Sequence, residues 1–380
     1  MLLIAACALE WAAGAGAAPL TVGAYYYAWY GQDGAQWSLG TPRAELDRPE
    51  QPLLGRYDSA SPAVIAQHYS WAQQYGVDVF FCSWRGPGTG DDVTIRDDLL
   101  PSPARGPTQI ALMYESLERL GLGADDRIQL TEESTQTLLD DFDYMARTYF
   151  DRPGYYRIDG RPVVILYASR ILRGDVAGAI GAIRLHLLTT YGVDPYLIGD
   201  EVDWDLAPDP ERIRLFDAIT GYTLYSRTQA AGWPSQLGYV QALGRRERQF
   251  QRVAQAEGVA LIPDALPGFN SRAVRPLAGE HVLPRALGPR SSQVSLFAST
   301  LALAGSLVDP SLHLLAVTSW NEWNEDTQIE PTALGPLLTT GPAELTQGYA
   351  YQPYGLGLLE LLRRFTDGWR APAAHRGLGP

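Results

Sequence analysis

LLAVTSWNEWNEDTQIEP, residues 314–331, is the stretch on which the reading of this chain turns. Residues 314–320 form an apolar run with the length of a buried strand. The remainder is polar and aromatic, and the whole stretch holds three glutamates and two tryptophans. A near-continuous apolar strand is what a parallel sheet covered on both faces requires. The same signature recurs upstream at 22–29, 77–84, 110–115, 162–168, 195–201, 216–225 and 259–266. Helical patterns lie between these runs. Residues 61–75 have Ser61 as N-cap and Pro62 at the first helical position. Residues 131–150 offer Thr131 and Ser134 as competing caps, and 174–191, 235–257, 291–304 and 355–369 complete the set. Eight strands separated by mostly helical connections predict an α/β fold, a single (β/α)8 TIM barrel with long βα loops.

The segments 30–60, 85–109 and 321–352 follow strands one, two and eight and are rich in Gly, Pro, Asp and aromatics. In such a barrel these inserts wall the mouth at the C-terminal ends of the strands. Reading those ends places Tyr25, Tyr27, Trp29 and Tyr30 on strand one and just after it. Ser83, Trp84 and Arg85 follow strand two, and Tyr114 and Glu115 strand three. Asp200 and Glu201 end strand five, Tyr222 and Tyr225 strand six, and Asp264 and Asn270 fall at strand seven. Strand eight contributes Trp320, Asn321, Glu322, Trp323, Asn324 and Glu325. Carboxylates and aromatics concentrated at one rim are the pattern of a sugar-cleaving cleft, where carboxylates move protons and rings hold sugars. Each residue also has a plainer reading. A lone Glu at a strand end is more often a salt-bridged loop residue than a catalyst, and part of the YYYAWY run simply packs.

Composition narrows the classes. The 380 residues are 46% hydrophobic and carry a net charge of −13, which disfavours disorder and a nucleic-acid partner. Every basic residue apart from histidine is Arg. The Asp91-Asp92, Asp97-Asp98 and Asp140-Asp141 pairs read as exposed turns and helix surface, with no calcium-loop spacing. The five histidines are scattered without a metal-binding pair, so no cofactor and no metal site is expected. Cys82, inside an apolar run, reads as a buried thiol. Residues 1–18 resemble an export signal. They offer either a cleavage site at Ala15-Gly16-Ala17 or a lipobox ending at Cys7, which would make Cys7 a lipid anchor. The expected organisation is an export segment (1–18), a catalytic barrel (19–370) and a disordered tail (371–380). The expected location is secreted, periplasmic or cell-surface.

The motifs resemble glycoside hydrolase family 99, the endo-α-mannosidase and endo-α-mannanase family, and its bacterial relatives. Residues 318–331, TSWNEWNEDTQIEP, are similar to that family's T-S-F-N-E-W-H-E-G-T-Q-I-E-P. YYYAWYG (25–31), SWRGPG (83–88), Glu115, Phe216-Asp217-Ala218 and the stretch from Leu266 through Asn270, Arg272 and Arg275 look like its other signatures. The resemblance covers about residues 21–331 in order. It implies a retaining, endo-acting hydrolase of α-linked glycans, with a polysaccharide or oligosaccharide as substrate. Glu322 would be a general base on the sugar 2-hydroxyl, forming a 1,2-anhydro sugar. Glu325 would protonate the leaving oxygen and then activate water. From the strand-end reading and these motifs together, Tyr25, Tyr27, Trp29, Tyr30, Trp84, Arg85, Glu115, Tyr222, Asn270, Arg272, Trp320, Asn321, Trp323 and Asn324 are the expected substrate-binding residues.

The chain departs from the pattern at four places. Asn324 stands for the family's His. Asp326 stands for its Gly and adds a charge beside Glu325. Arg85 stands for the second Trp of S-W-W-G, which opens the reading of an anionic glycan. After strand four, Ala168-Ser169-Arg170 stands where an Asp is often found. Two other readings stay open: a barrel of the type found beside glycosyltransferases in cell-wall or O-antigen loci, and a non-catalytic carbohydrate-binding barrel. Two carboxylates so near each other disfavour the second.

Overall fold

Eight parallel strands close into a barrel in the computed structural model, which describes residues 19–31, 36–37, 50–224, 235–272, 274, 281–288, 290–335, 346–349 and 351–370. In chain order they are β1 (Thr21–Tyr26), β2 (Val79–Trp84), β3 (Gln109–Tyr114), β4 (Arg161–Leu166), β5 (Tyr196–Asp200) and β6 (Ala218–Thr220). β7 comes in two pieces, Ala260–Leu261 and Asp264–Ala265, and β8 is Leu314–Val317. Each strand pairs with the next, and β8 returns to β1 from Thr21↔Leu314 to Ala24↔Val317. Closure depends on the broken β7. Its first piece pairs with β6 and its second with β8. Pro263 stands at the break, where a residue without an N–H interrupts one ladder. Ile262 N still donates to Ile219 O at 2.8 Å, and Pro263 O accepts from Ala316 N at 2.9 Å. The chain thus steps from one neighbour to the other without opening the sheet.

The strands are buried on both faces, and all six residues of β2 are inaccessible. Inside the barrel, the rings of Tyr25 and Phe81 sit 5.5 Å apart. Gly23 makes that packing feasible, since a Cβ there would lie 2.2 Å from the Phe81 ring. Gly23→Ala would therefore overpack the barrel, at a cost of about 1–3 kcal/mol. Strand six is shorter than the apolar run at 216–225 predicts, because the chain turns at Tyr222–Leu224 to enter the mouth.

Among the described residues, six longer helices, α1 (Pro62–Tyr75), α2 (Glu132–Met145), α3 (Val176–Tyr191), α4 (Gln236–Ala256), α5 (Ser295–Gly305) and α6 (Gly357–Arg370), surround the strands. Pro62 starts α1 as expected, and Gly76 ends it in the left-handed region, at φ 88°. Thr131 and Ser134 do not compete for the start of α2. Thr131 Oγ1 accepts from Ser134 N at 3.2 Å, and Ser134 Oγ accepts from Thr131 N at 2.7 Å, so together they form a capping box. The 85–109 segment, read as an irregular insert, contains helical turns at Gly90–Val93 and wider turns at Thr94–Leu99. Asp91 and Asp92, expected at the surface, are buried there. Asp92 accepts from Trp84 Nε1 at 2.8 Å and from the hydroxyls of Tyr144 and Tyr149, and Asp91 accepts from Arg85. Cys82 is a buried free thiol.

Among the described residues, no helix is long and apolar enough to cross a membrane. The expectations for residues 1–18 (Cys7 included), for 371–380, and for Tyr225 and Arg275 lie outside the described residues.

Candidate active site

The segment after β8 folds back on its own neck. Ser319 N donates to Thr327 O at 2.7 Å, their hydroxyls meet at 2.9 Å, and Glu330 N donates to Trp320 O at 2.8 Å. The Thr318–Ser319 peptide is cis. Inside this closed loop, Glu322 N donates to Ser319 Oγ at 2.8 Å, and Asn324 N donates to a Glu322 carboxylate oxygen at 2.9 Å. A backbone amide on a carboxylate is a charge-assisted bond, and it orients Glu322. Glu325 is placed through its carbonyl, which accepts from Asn270 N at 2.7 Å.

Both carboxylates line one cavity of about 360 Å³ at the C-terminal mouth of the barrel. Tyr27, Trp29, Arg85, Glu115, Tyr222 and Asn324, all expected from the sequence, line it with them. Tyr27 and Trp29 lie 4.5 Å apart between ring centres. The hydroxyls of Tyr27 and Tyr222 are directly hydrogen-bonded. Burial, followed by neighbouring groups that include Glu322 and Glu325, holds both phenols well above their ordinary range. Both phenols therefore keep their protons at neutral pH. Glu115 sits across the cavity and accepts from Ser83 Oγ at 2.6 Å. Burial pushes its carboxyl up to about 8, against the opposing pull of Ser83. Gln36, Leu117, Glu118, Tyr167 and Val274 also line the cavity and were not read from the sequence. Tyr167 was recoverable, because it lies at the C-terminal end of the apolar run 162–168, just past the last residue of β4. The others lie on loops and a short helix whose direction no periodicity gives.

Several expected binders stand behind the cavity instead of in it. Tyr25 points into the barrel, and Tyr30 packs on Trp37 while donating to Asn321 O at 2.8 Å. Trp84 faces the helix side, donating to Asp92 and stacking on Tyr144 of α2. Asn321 exchanges two hydrogen bonds with the backbone of Tyr27, at 2.8 and 2.9 Å, and so fixes that ring's strand end. Trp320 packs edge-on against Phe80 and His68. Trp323 Nε1 donates to Glu330 at 2.8 Å. Glu330 also accepts from Tyr57 at 2.7 Å and meets His68 at 3.1 Å. Asn270 Nδ2 donates to Tyr351 at 2.6 Å, and Arg272 donates its amide to Asn270. Apart from Trp84, these residues brace the loop that carries Glu322 and Glu325 or the residues that hold it. Strand-end position shows only that a residue is near the mouth; the facing it adopts decides whether it reaches the cavity.

The remaining strand-end acids are paired. Asp200 accepts from Arg170 and, at 3.1 Å, from Tyr222 N, and Glu201 meets Arg212 at 3.0 Å. Arg170 thus occupies the place after β4 where an acid was looked for. Arg85 reaches the cavity, but Asp91 holds it at 3.0 Å and Glu118 faces it at 3.8 Å. Its guanidinium also lies over Trp29, 5.4 Å from the ring centre. Among the described residues, no group of three His, Cys, Asp or Glu is placed to hold a metal.

A barrel whose mouth holds two near-neighbour glutamates among aromatic walls defines a glycoside hydrolase. The glycosyl hydrolase family 99 profile matches residues 38–337, and the chain belongs to that family. It is 24% identical over 385 residues to a human glycoprotein endo-alpha-1,2-mannosidase-like protein, covering 90% of this chain and 74% of that one. A rat glycoprotein endo-alpha-1,2-mannosidase is 23% identical over 389 residues, covering 91% and 74%. The solved family-99 endo-alpha-mannosidase from Bacteroides thetaiotaomicron shares the fold, with a TM-score of 0.64 and 20% identity over 92% of this chain and 97% of that one.

Proposed function

We propose that this hydrolase cleaves neutral, α-mannan-like glycans internally, with retention of configuration, through a 1,2-anhydro sugar. The observation that carries the reading is that Glu322 and Glu325 open onto the same cavity as Tyr27, Trp29 and Tyr222. In the first step Glu322 takes the proton of the sugar 2-hydroxyl. O2 then bonds to the anomeric carbon as the glycosidic bond breaks, and Glu325 gives its proton to the departing oxygen. In the second step Glu325 takes a proton from water, the hydroxide opens the three-membered ring at the anomeric carbon, and Glu322 returns a proton to O2. Two inversions give net retention.

The substrate class follows from the charges that face it. Arg85, which lines the cavity, is already matched by Asp91 and Glu118, and Glu322 as the ionised base adds a negative charge, while burial holds Glu115 in its neutral form. That environment disfavours an anionic glycan and suits hydroxyl-rich neutral sugars. Asn324 Oδ1 is buried with no partner among the described residues and offers an acceptor to a sugar hydroxyl. The test is hydrolysis of a panel of neutral α-mannans and acidic polysaccharides, with the first-formed anomer read by NMR. Retention on a neutral mannan supports the proposal, and inversion, or cleavage of acidic glycans alone, overturns it. Export to the cell surface or beyond is part of the same proposal, since polymeric substrates lie there. Mass analysis of the mature N-terminus tests it, and an intact residue 1 on cytoplasmic protein would refute it.

A further inference from the structure

Arg285 carries a permanent charge yet is 1% exposed. Its guanidinium makes two hydrogen bonds to Glu50, at 3.2 and 2.8 Å. Its Nε faces Asp326 at 3.8 Å. Its plane lies over the rings of Tyr351 and Tyr354, at 5.5 and 4.8 Å. The stem crosses Gly268 so closely that a Cβ there would come within 2.8 Å of Arg285 Cγ. A buried arginine needs a partner carboxylate, and Glu50 supplies one in the bidentate form that arginine favours. A second buried carboxylate, Asp326, is more than neutralisation requires, so its placement needs another explanation.

Asp326 follows Glu325 directly and has φ 58°, in the left-handed region where a Cβ is costly and glycine is favoured. An aspartate tolerates that region better than most residues, and a cation facing its carboxylate holds it there. The other flank of Glu325 reaches the same arginine. Glu325 O accepts from Asn270 N at 2.7 Å, Asn270 Nδ2 donates to Tyr351 Oη at 2.6 Å, and the Tyr351 ring is one of the two under Arg285.

We infer that Arg285 is a positioning residue: it holds Asp326 in its left-handed turn and Tyr351 under Asn270, and so fixes the backbone on both sides of Glu325. The inference rests on reading Glu325 as an acid/base residue. Arg285 contacts the reacting atoms only through these intermediaries. Its loss is therefore expected to displace Glu325 and leave the sugar-binding walls in place.

The experiment has two arms. In the first, kcat and KM on a neutral α-mannan are measured for Arg285→Met, Asp326→Gly and the double variant. The expected result for Arg285→Met is a kcat lowered about 10- to 100-fold, the scale of a misplaced catalytic group, with KM within about two-fold. Adding Asp326→Gly, which takes the left-handed turn unaided and removes one of the two carboxylates that faced Arg285, should restore kcat at least about three-fold, even though Glu50 stays without its guanidinium. A double variant no better than Arg285→Met overturns the inference. Should Arg285→Met not fold, Asp326→Val serves: it should fall well below Asp326→Gly in kcat at equal KM, and equal kcat values overturn the inference. The second arm is hydrogen exchange by mass spectrometry of the wild type and the folded variants, which needs no substrate. Arg285→Met, or Asp326→Val in its place, should speed exchange in the 319–330 peptide and leave the β1–β3 peptides protected. Unchanged exchange in 319–330 counts against the positioning role whatever the enzyme cleaves, whereas an inert wild type counts only against the proposed substrate.

Discussion

The ends of β5 and β8 look alike in the sequence and behave oppositely in the fold. Each presents two acidic residues at the mouth: Asp200 and Glu201 after β5, Glu322 and Glu325 after β8. At β5 both are matched by arginines, Arg170 for Asp200 and Arg212 for Glu201, and none of these four side chains lines the cavity. At β8 both carboxylates line it, and the buried carboxylates nearby, Glu330 and Asp326, face His68 and Arg285 instead. Under the proposed mechanism, the rim divides its acids into braces and working groups. A buried carboxylate with an arginine is a fixed strut, whereas a carboxylate that must exchange a proton with a sugar has to face the open space.

The largest effect expected from this division is on turnover. Glu325→Gln keeps size and hydrogen bonding but cannot give a proton. We expect kcat to fall about 10²- to 10⁴-fold, the range of general acid–base catalysis, with the melting temperature nearly unchanged. Glu322→Gln should behave alike. If either variant turns over at the wild-type rate in a glycan-release assay, the division is wrong at β8.

At β5 the same kind of change should act on stability. Arg170→Met leaves Asp200 buried without its guanidinium, although the amides of Ala168 and Tyr222 still donate to it. Removing one partner of a buried pair costs about 3–5 kcal/mol, readable as a lowered urea midpoint. Because Asp200 also holds the amide of Tyr222, a smaller loss of activity should accompany it. A shift under about 1 kcal/mol would mean that Asp200 is neutralised in another way.

Most of the barrel was legible from the chain alone, because a strand buried on both faces must be apolar throughout. The eight runs stand out for that reason; β2, β5, β6, β7 and β8 fall within them, and β1, β3 and β4 start one residue earlier. What periodicity does not encode is facing and partnership. Tyr25, Tyr26 and Tyr27 are adjacent, yet the first points into the barrel, the second meets His68 at 3.0 Å on the helix side, and only the third reaches the cavity. Asp92 read as a surface acid because Tyr144 and Tyr149, which donate to it, lie more than fifty residues away in the chain. Asp326 read as a charge beside Glu325, whereas it faces Arg285, which no spacing ties to it.

Glu115 tests the boundary between the two kinds of acid, because it lines the cavity but has a serine where the braces have arginines. Burial pushes its carboxyl up to about 8, while in the unfolded chain it titrates in the ordinary glutamate range. Between those values the folded state binds the proton and the unfolded state does not, so stability falls as pH rises. The contribution is complete below the ordinary glutamate range and is lost by about pH 8. Glu115→Gln has no proton to lose, and its stability should decline less steeply with pH, by up to about 1.4 kcal/mol per pH unit. Glu247, pushed up to about 8 by its own burial, keeps a residual slope in the variant. Urea midpoints at pH 5 and pH 8 check this, and parallel curves for the two proteins would show that Glu115 is already ionised in the fold.

The smallest effect belongs to Arg85, the cation that the sequence placed in a family aromatic's position. If it selected acidic glycans, its charge would have to be available, but Asp91 and Glu118 both face it, and its position over Trp29 ties it to the cavity wall. Arg85 is a quarter exposed, so solvent screens its pair in part, although its partner Asp91 is buried; the pair should contribute about 1 kcal/mol. Arg85→Ala should therefore lower the melting temperature only modestly, with the amide of Arg85 still donating to Asp91. It should shift KM for a neutral mannan by less than about five-fold, the factor that about 1 kcal/mol allows, chiefly by loosening Trp29. Acidic polysaccharides should remain poor substrates for both forms, at low and high salt alike. A wild-type enzyme that prefers an acidic glycan, and loses that preference with Arg85, would put this residue among the working groups and move the line between brace and working group from charge pairing to the cavity wall itself.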